Sequence, residues 1–173
     1  MEFENVLVSR RSVRRFKKRG LKMEDMDFIL RSAISAPSAG NLQGYRIAVV
    51  ADANRKHLLA EAALGQTFIE DAPVVLVFLA DPARSSAKYG NRGAELYSVQ
   101  DATIACTFSH LAAASIGLGS VWVGAFDEKE VARILSAPDG LRPVAILPIG
   151  HPDEHPKQRT RRAMEDIIIA KSI

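Results

Sequence analysis

The side chains able to do chemistry are concentrated at two places. Residues 10–22 carry eight cations (Arg10, Arg11, Arg14, Arg15, Lys17, Lys18, Arg19 and Lys22) and no acid, and residues 157–162 carry four more (Lys157, Arg159, Arg161 and Arg162). Arginine forks match the oxygens of a phosphate. If the two clusters meet in space, they form a pocket for a small phosphorylated ligand. A solvated surface and a nucleic-acid patch are the other readings of the same residues. Residues 24–156 hold 10 basic and 16 acidic side chains, a net of −6. That acidic body argues against a broad nucleic-acid face, and no helix-turn-helix, zinc-finger or RRM signature is present.

Other chemistries find little support. The histidines are His57, His110, His151 and His155, and none has a second ligand at zinc-like helical spacing. His110 falls on an apolar helix, where a satisfied core or interface histidine is expected. Cys106 stands alone among apolar neighbours and reads as inert packing. There is no GxGxxG turn, Walker A loop or GxSxG elbow, and no carboxylate pair stands out for acid–base work. A phosphate-binding edge without an evident acid, base, nucleophile or metal suits an enzyme whose chemistry belongs to a bound cofactor.

These residues must be positioned by a mixed α and β chain. Its 173 residues are 47% hydrophobic and 25% charged, which favours one domain, 1–173, with a sufficient core of its own. No apolar run approaches a membrane span, and Met1-Glu2-Phe3-Glu4-Asn5 lacks a signal-peptide core. The chain reads as soluble and cytoplasmic. Helices are expected at 2–8, at Met23–Ala36 with Pro37 as its stop, from an Asn54 cap to Ala63, and from an Asp127 cap to Leu135. Strands are expected at Arg46–Val50, Val74–Leu79, Ser120–Val123 and Val144–Ile149. Residues 36–41 and 82–93 read as loops. A long helix from Ala94 to Ile116, roughly 34 Å, is apolar nearly all round between Ala102 and Ala114. Such a helix is buried on several sides and suggests a subunit interface. The tail Ile167-Ile168-Ile169 calls for a cover, for which a partner subunit is the natural candidate. The expectation is about four strands among about six helices, with helices on both faces of the sheet.

Four stretches together resemble the nitroreductase family of FMN-dependent oxidoreductases. Ser9-Arg10-Arg11-Ser12-Val13-Arg14-Arg15-Phe16 is similar to its RRSxRxF element. Ala36-Pro37-Ser38-Ala39-Gly40-Asn41-Leu42-Gln43 is similar to its APSxxNxQ loop. Gly117-Leu118-Gly119-Ser120-Val121-Trp122-Val123-Gly124-Ala125-Phe126 is similar to its GLGsxWiGaF entry. Pro143 to Pro152, followed by Lys157-Gln158-Arg159, resembles the closing strand and KxR element. Each motif alone is weak, but the four occur in the family order from about residue 9 to 162.

The resemblance implies an α+β nitroreductase-like fold, with a central mixed sheet flanked by helices. It also implies a homodimer with a C-terminal arm reaching the partner and two FMN sites built from both subunits. By motif position, Arg10, Arg11 and Ser12 face the phosphate and ribityl side, and Lys157 and Arg159 close the phosphate end. Arg161 is a possible substitute, and the sequence leaves open whether Arg159 or Arg161 makes the contact. Arg14 is placed near the flavin pyrimidine, where a cation stabilises the charge that accumulates on reduction. Pro37, Ser38 and Asn41 arrive from the other subunit, although Asn41 also suits a left-handed turn. Gly124 and Ala125 present backbone N–H groups, and Gln66 meets the flavin edge.

The implied activity is ping-pong two-electron transfer from NAD(P)H through flavin N5 to a nitroaromatic, quinone or similar electron-poor acceptor. It requires neither nucleic acid nor membrane. The same fold used for flavin reduction, dehalogenation or flavin fragmentation is the alternative within the family. A non-catalytic protein binding a phosphorylated ligand or nucleic acid is the alternative outside it. Gly44-Tyr45 replaces the family's frequent Pro-Trp, which suggests a looser turn. The 82–93 segment, with Tyr89 and Asn91, is expected to line an open substrate pocket. Whether NADH or NADPH is preferred is not legible.

Overall fold

Strand β2 (Val74–Ala80) is apolar throughout because both of its faces are covered. Val75, Val77 and Leu79 enter one hydrophobic core, and Leu76 and Phe78 enter another. This is the period-two alternation of a strand between two layers. The computed structural model describes residues 2–169. Strand β1 (Tyr45–Val50), β2, β4 (Arg142–Gly150) and the short β3 (Gly119–Ser120) form one sheet in the order β1-β2-β4-β3. Every ladder in it is antiparallel. The expected mixed sheet is therefore corrected: among the described residues, the parallel pairing is a single bridge between Ser12 and Ser120.

One face of the sheet is covered by helices α3 (Ala53–Ala62), α4 (Phe68–Asp71) and α7 (Glu128–Leu135), through Leu59, Ile69 and Val131. The other is covered by α2 (Met23–Ile34) and α6 (Ser98–Ser115), through Ile29, Ala33, Ala102, Ala105 and Cys106. Each fully buried Leu, Ile or Phe contributes about 1.5–3 kcal/mol relative to exposure. Helix α1 (Phe3–Ser9) leads directly into the first basic cluster. Gly119 is required by packing, since a Cβ there would lie 2.9 Å from the Val13 Cβ. That close approach seats residues 12–13 beside β3. No helix among the described residues is long and apolar enough to cross a membrane.

Several local expectations change. The cap of α3 is Asp52, which accepts from the Arg55 N–H at 2.8 Å, and not Asn54. Residues 82–93 are not a loop: helix α5 (Pro82–Arg92) occupies them, capped by Asp81, which accepts from the Arg84 N–H at 3.0 Å. Asp81-Pro82 is an N-cap followed by an N1 proline, the signal for this helix. The polar composition of its exposed face hid that signal. The expected helix 94–116 is divided into a π-type turn, Gly93–Tyr97, and α6. The strand at 120–123 shrinks to β3, with Val123 bridging Ile146 and Trp122 only half-buried. The described helices number seven α-helices in place of about six. Ile167, Ile168 and Ile169 follow a short 3-10 turn and are exposed in the single chain.

Candidate functional site

The phosphate-binding expectation converges on Arg10. This residue follows α1, and its Nη1 donates to His110 Nε2 at 2.9 Å. His110, on α6, is 8% exposed, and its Nδ1 lies 2.6 Å from Ser120 Oγ. Burial, reinforced by the Arg10 charge, lowers the imidazole pKa to about 4. A neutral ring that accepts at Nε2 carries its proton at Nδ1, so it donates to Ser120. Ser120 in turn accepts the Val13 N–H on its carbonyl at 3.1 Å.

The charge around Arg10 is unbalanced. Burial, then the nearby charges of Arg161 and Arg11, lower its pKa. No ion pair among the described residues neutralises Arg10, Arg11 or Arg161. Cations gathered without an ion-pair partner are an arrangement that a dianionic phosphate relieves. A cleft of about 350 Å³ adjoins them, lined by Arg10, Arg11, Glu154 and His155 and by the Gly117–Ser120 turn. Arg161, whose charge acts on Arg10, is exposed on the tail segment, as are Lys157 and Arg159.

Further along, Ser12 bridges Ser120, and Arg14 lies over the Phe68 ring at 5.7 Å from its centroid. Glu154 fixes this stretch by accepting the backbone N–H groups of Arg14 at 2.5 Å and Arg15 at 3.2 Å. Gln66 donates to the carbonyls of Ala63 at 2.8 Å and Ala125 at 3.2 Å. Gln66 thereby ties the segment before Phe68 to the Gly124–Ala125 turn. Gly124 and Ala125 are exposed. The nearest neighbour of a Cβ at Gly124 would be the Trp122 indole nitrogen at 3.4 Å, so the chain's own packing does not strongly exclude a side chain. Arg10, Arg11, Ser12, Arg14, Gln66, Gly124 and Ala125 thus follow a connected path over β3 and its flanking segments. Cations stand at one end and open backbone at the other, a set that fits a phosphorylated planar cofactor.

Pro37, Ser38 and Asn41 belong to a different place. Their loop is held by Asp101, 2% exposed near the start of α6, which accepts from Ala39 N at 2.9 Å and Gly44 N at 3.1 Å. Ser38 Oγ accepts from Gln43 N at 3.0 Å, and Asn41 adopts a left-handed φ of 58°. Asp101 and His110 are separated by nine residues of α6, about 14 Å along the axis. The loop and the cation cluster therefore attach at different levels of the same helix. The turn at Gly44-Tyr45 is not loose: a Cβ on Gly44 would lie 2.1 Å from Ser85 Oγ, and the Tyr45 hydroxyl donates to the Ala33 carbonyl at 3.0 Å.

Asp101, His110 and Glu154 are the supporting residues that sequence reasoning did not assign. A lone carboxylate in an apolar helix must find partners, so Asp101 did carry a signal. His110 meets Arg10 across 100 positions, a contact that no local pattern encodes.

Known proteins resemble this chain in sequence and in fold. A sequence profile described as the nitroreductase family matches residues 7–68 and 52–151. An NADH dehydrogenase of Thermus thermophilus is 31% identical, over 98% of this chain and 96% of its own. An FMN reductase [NAD(P)H] of Bacillus subtilis is 33% identical, over 93% of this chain and 70% of its own. The solved structure of NfrA2 from B. megaterium superposes with a TM-score of 0.91 at 30% identity, covering 100% of this chain and 76% of that one.

Proposed function

Because the chain belongs to the nitroreductase family, we propose that it is an FMN-dependent NAD(P)H oxidoreductase acting on an electron-poor acceptor such as a nitroaromatic or a quinone. The observation that carries this reading is the meeting of Arg10 and Arg11 at one cleft, with the charge of Arg161 acting on Arg10 and no ion pair to any of the three among the described residues. FMN supplies a two-electron relay from NAD(P)H to the acceptor when bound. Arg10, with Arg11, Ser12 and Arg161, would bind its phosphate, and Lys157 and Arg159 would add positive field from the same tail. Arg14, whose backbone is fixed by Glu154, would hold a positive charge at the pyrimidine edge. Gly124 and Ala125 would offer backbone N–H groups on an open surface, and Gln66 keeps that turn in place.

Pro37, Ser38 and Asn41 would complete the site of a second copy. Two features support a homodimer: the separation of the half-sites along α6, and the exposure of Phe3, Leu7, Val8, Phe28 and Ile34 on α1 and α2. The isoleucine tail would then lie against the partner. No side chain on this path is placed as a general acid, which suits protons taken from solvent.

The test is the visible spectrum of the purified full-length protein under argon, before and after NADH or NADPH. The reading predicts flavin absorbance that bleaches with the nicotinamide and returns on adding a quinone or nitroaromatic. A colourless protein that takes up no added FMN contradicts it.

A further inference from the structure

We propose that His110 is a positioning residue for the phosphate site: its acceptor nitrogen fixes the Arg10 guanidinium without cancelling its charge, so the preference for a phosphorylated flavin depends on a residue that touches no ligand. The inference rests on the reading of Arg10 as the phosphate ligand.

Arg10 stands in the field of Arg11 and Arg161. Like charges favour swinging a guanidinium away into solvent. The 2.9 Å bond to His110 opposes that movement. A carboxylate at this position would hold Arg10 as well, but it would neutralise the charge that the phosphate needs. Imidazole holds it as an uncharged acceptor, provided that it stays unprotonated and in one tautomer. Burial of His110, 8% exposed, supplies the first condition. Ser120, 2.6 Å from Nδ1, supplies the second. Ser120 also carries the Val13 N–H on its carbonyl, so the same strand orients the histidine and seats the segment bearing Arg10 and Ser12. Arginine keeps further N–H donors after the one spent on His110, and these remain for phosphate oxygens.

The experiment titrates the full-length chain, stripped of flavin, with FMN and separately with riboflavin, following flavin fluorescence. Wild type should bind FMN more tightly than riboflavin. Leucine in place of His110 (His110→Leu) should weaken FMN by about tenfold or more, the scale of a charge-assisted hydrogen bond, and leave riboflavin within about twofold. His110→Gln, which offers an acceptor near the position of Nε2, should restore most of the difference. Ser120→Ala should lower the FMN-to-riboflavin ratio in part, and it serves as the deciding variant should His110→Leu fail to fold. An unchanged ratio in the deciding variant, or equal weakening of both flavins, overturns the proposal. A wild type that binds FMN and riboflavin equally overturns the reading of Arg10 itself, and the proposal with it.

Discussion

His110 couples the site to folding through its proton. In an unfolded chain a histidine titrates near 6.5, whereas in the folded chain burial and Arg10 hold this one at about 4. Between those values the unfolded chain binds a proton that the folded chain refuses. The stability associated with His110 is therefore complete above about pH 6.5 and is lost as pH falls toward 4. At pH 4.5 the loss should be about 2–3 kcal/mol. Urea unfolding at pH 7.5 and 4.5 should show this extra loss in wild type and not in His110→Gln. Equal losses would contradict it. His57, raised by Glu70 and Glu61, titrates in both proteins and cancels in the comparison. At this scale the motif that carries Arg10, Ser12 and Arg14 is visible in the sequence, because these residues lie together in one short stretch. The side chains that orient them were not: His110 and Glu154 reach that motif only through the fold.

Among the elements, the loop carrying Pro37, Ser38 and Asn41 depends on helix α6. Asp101 is buried and accepts two backbone N–H groups, from Ala39 and Gly44. Removing it leaves both donors without their acceptor, and that of Gly44 is buried. Asp101→Ala should cost about 2–4 kcal/mol in urea unfolding, and Asp101→Asn should cost less because one amide oxygen remains. A cost below about 0.5 kcal/mol for the alanine variant would show that the loop is held by other means. The elements differed in how clearly the sequence announced them. Helix α2 was plain from its apolar spacing and the proline that stops it, and α7 from its Asp127 cap. Helix α5 was hidden because its polar exposed face resembles a loop, although Asp81-Pro82 marked its start. The mixed sheet expected from the family resemblance was wrong for the described ladders, since strand direction depends on connections that periodicity does not encode.

Across the whole molecule, the sequence pointed to a partner through a long helix with few polar faces and an apolar tail, and the fold adds a geometric reason. The cation cluster and the Asn41 loop sit at different levels of α6, and Phe28 and Ile34 on α2 are left exposed. The proposed two-fold pairing, in which each copy lends its loop to the other's cations, would account for both features. This shared site is the central claim, and a mixed dimer tests it most directly. Arg10→Glu disables the cation end of one chain. Asn41→Pro disables the loop of the other, since proline cannot adopt the positive φ found there. The two variants are co-expressed with different tags, the heterodimer is isolated, and its FMN content is measured. Neither homodimer should retain FMN. If the site is shared, one of the two sites in the heterodimer combines an intact Arg10 with an intact loop, and one FMN per heterodimer is predicted. If each chain builds its site alone, both sites are defective, and a heterodimer without FMN would contradict the account.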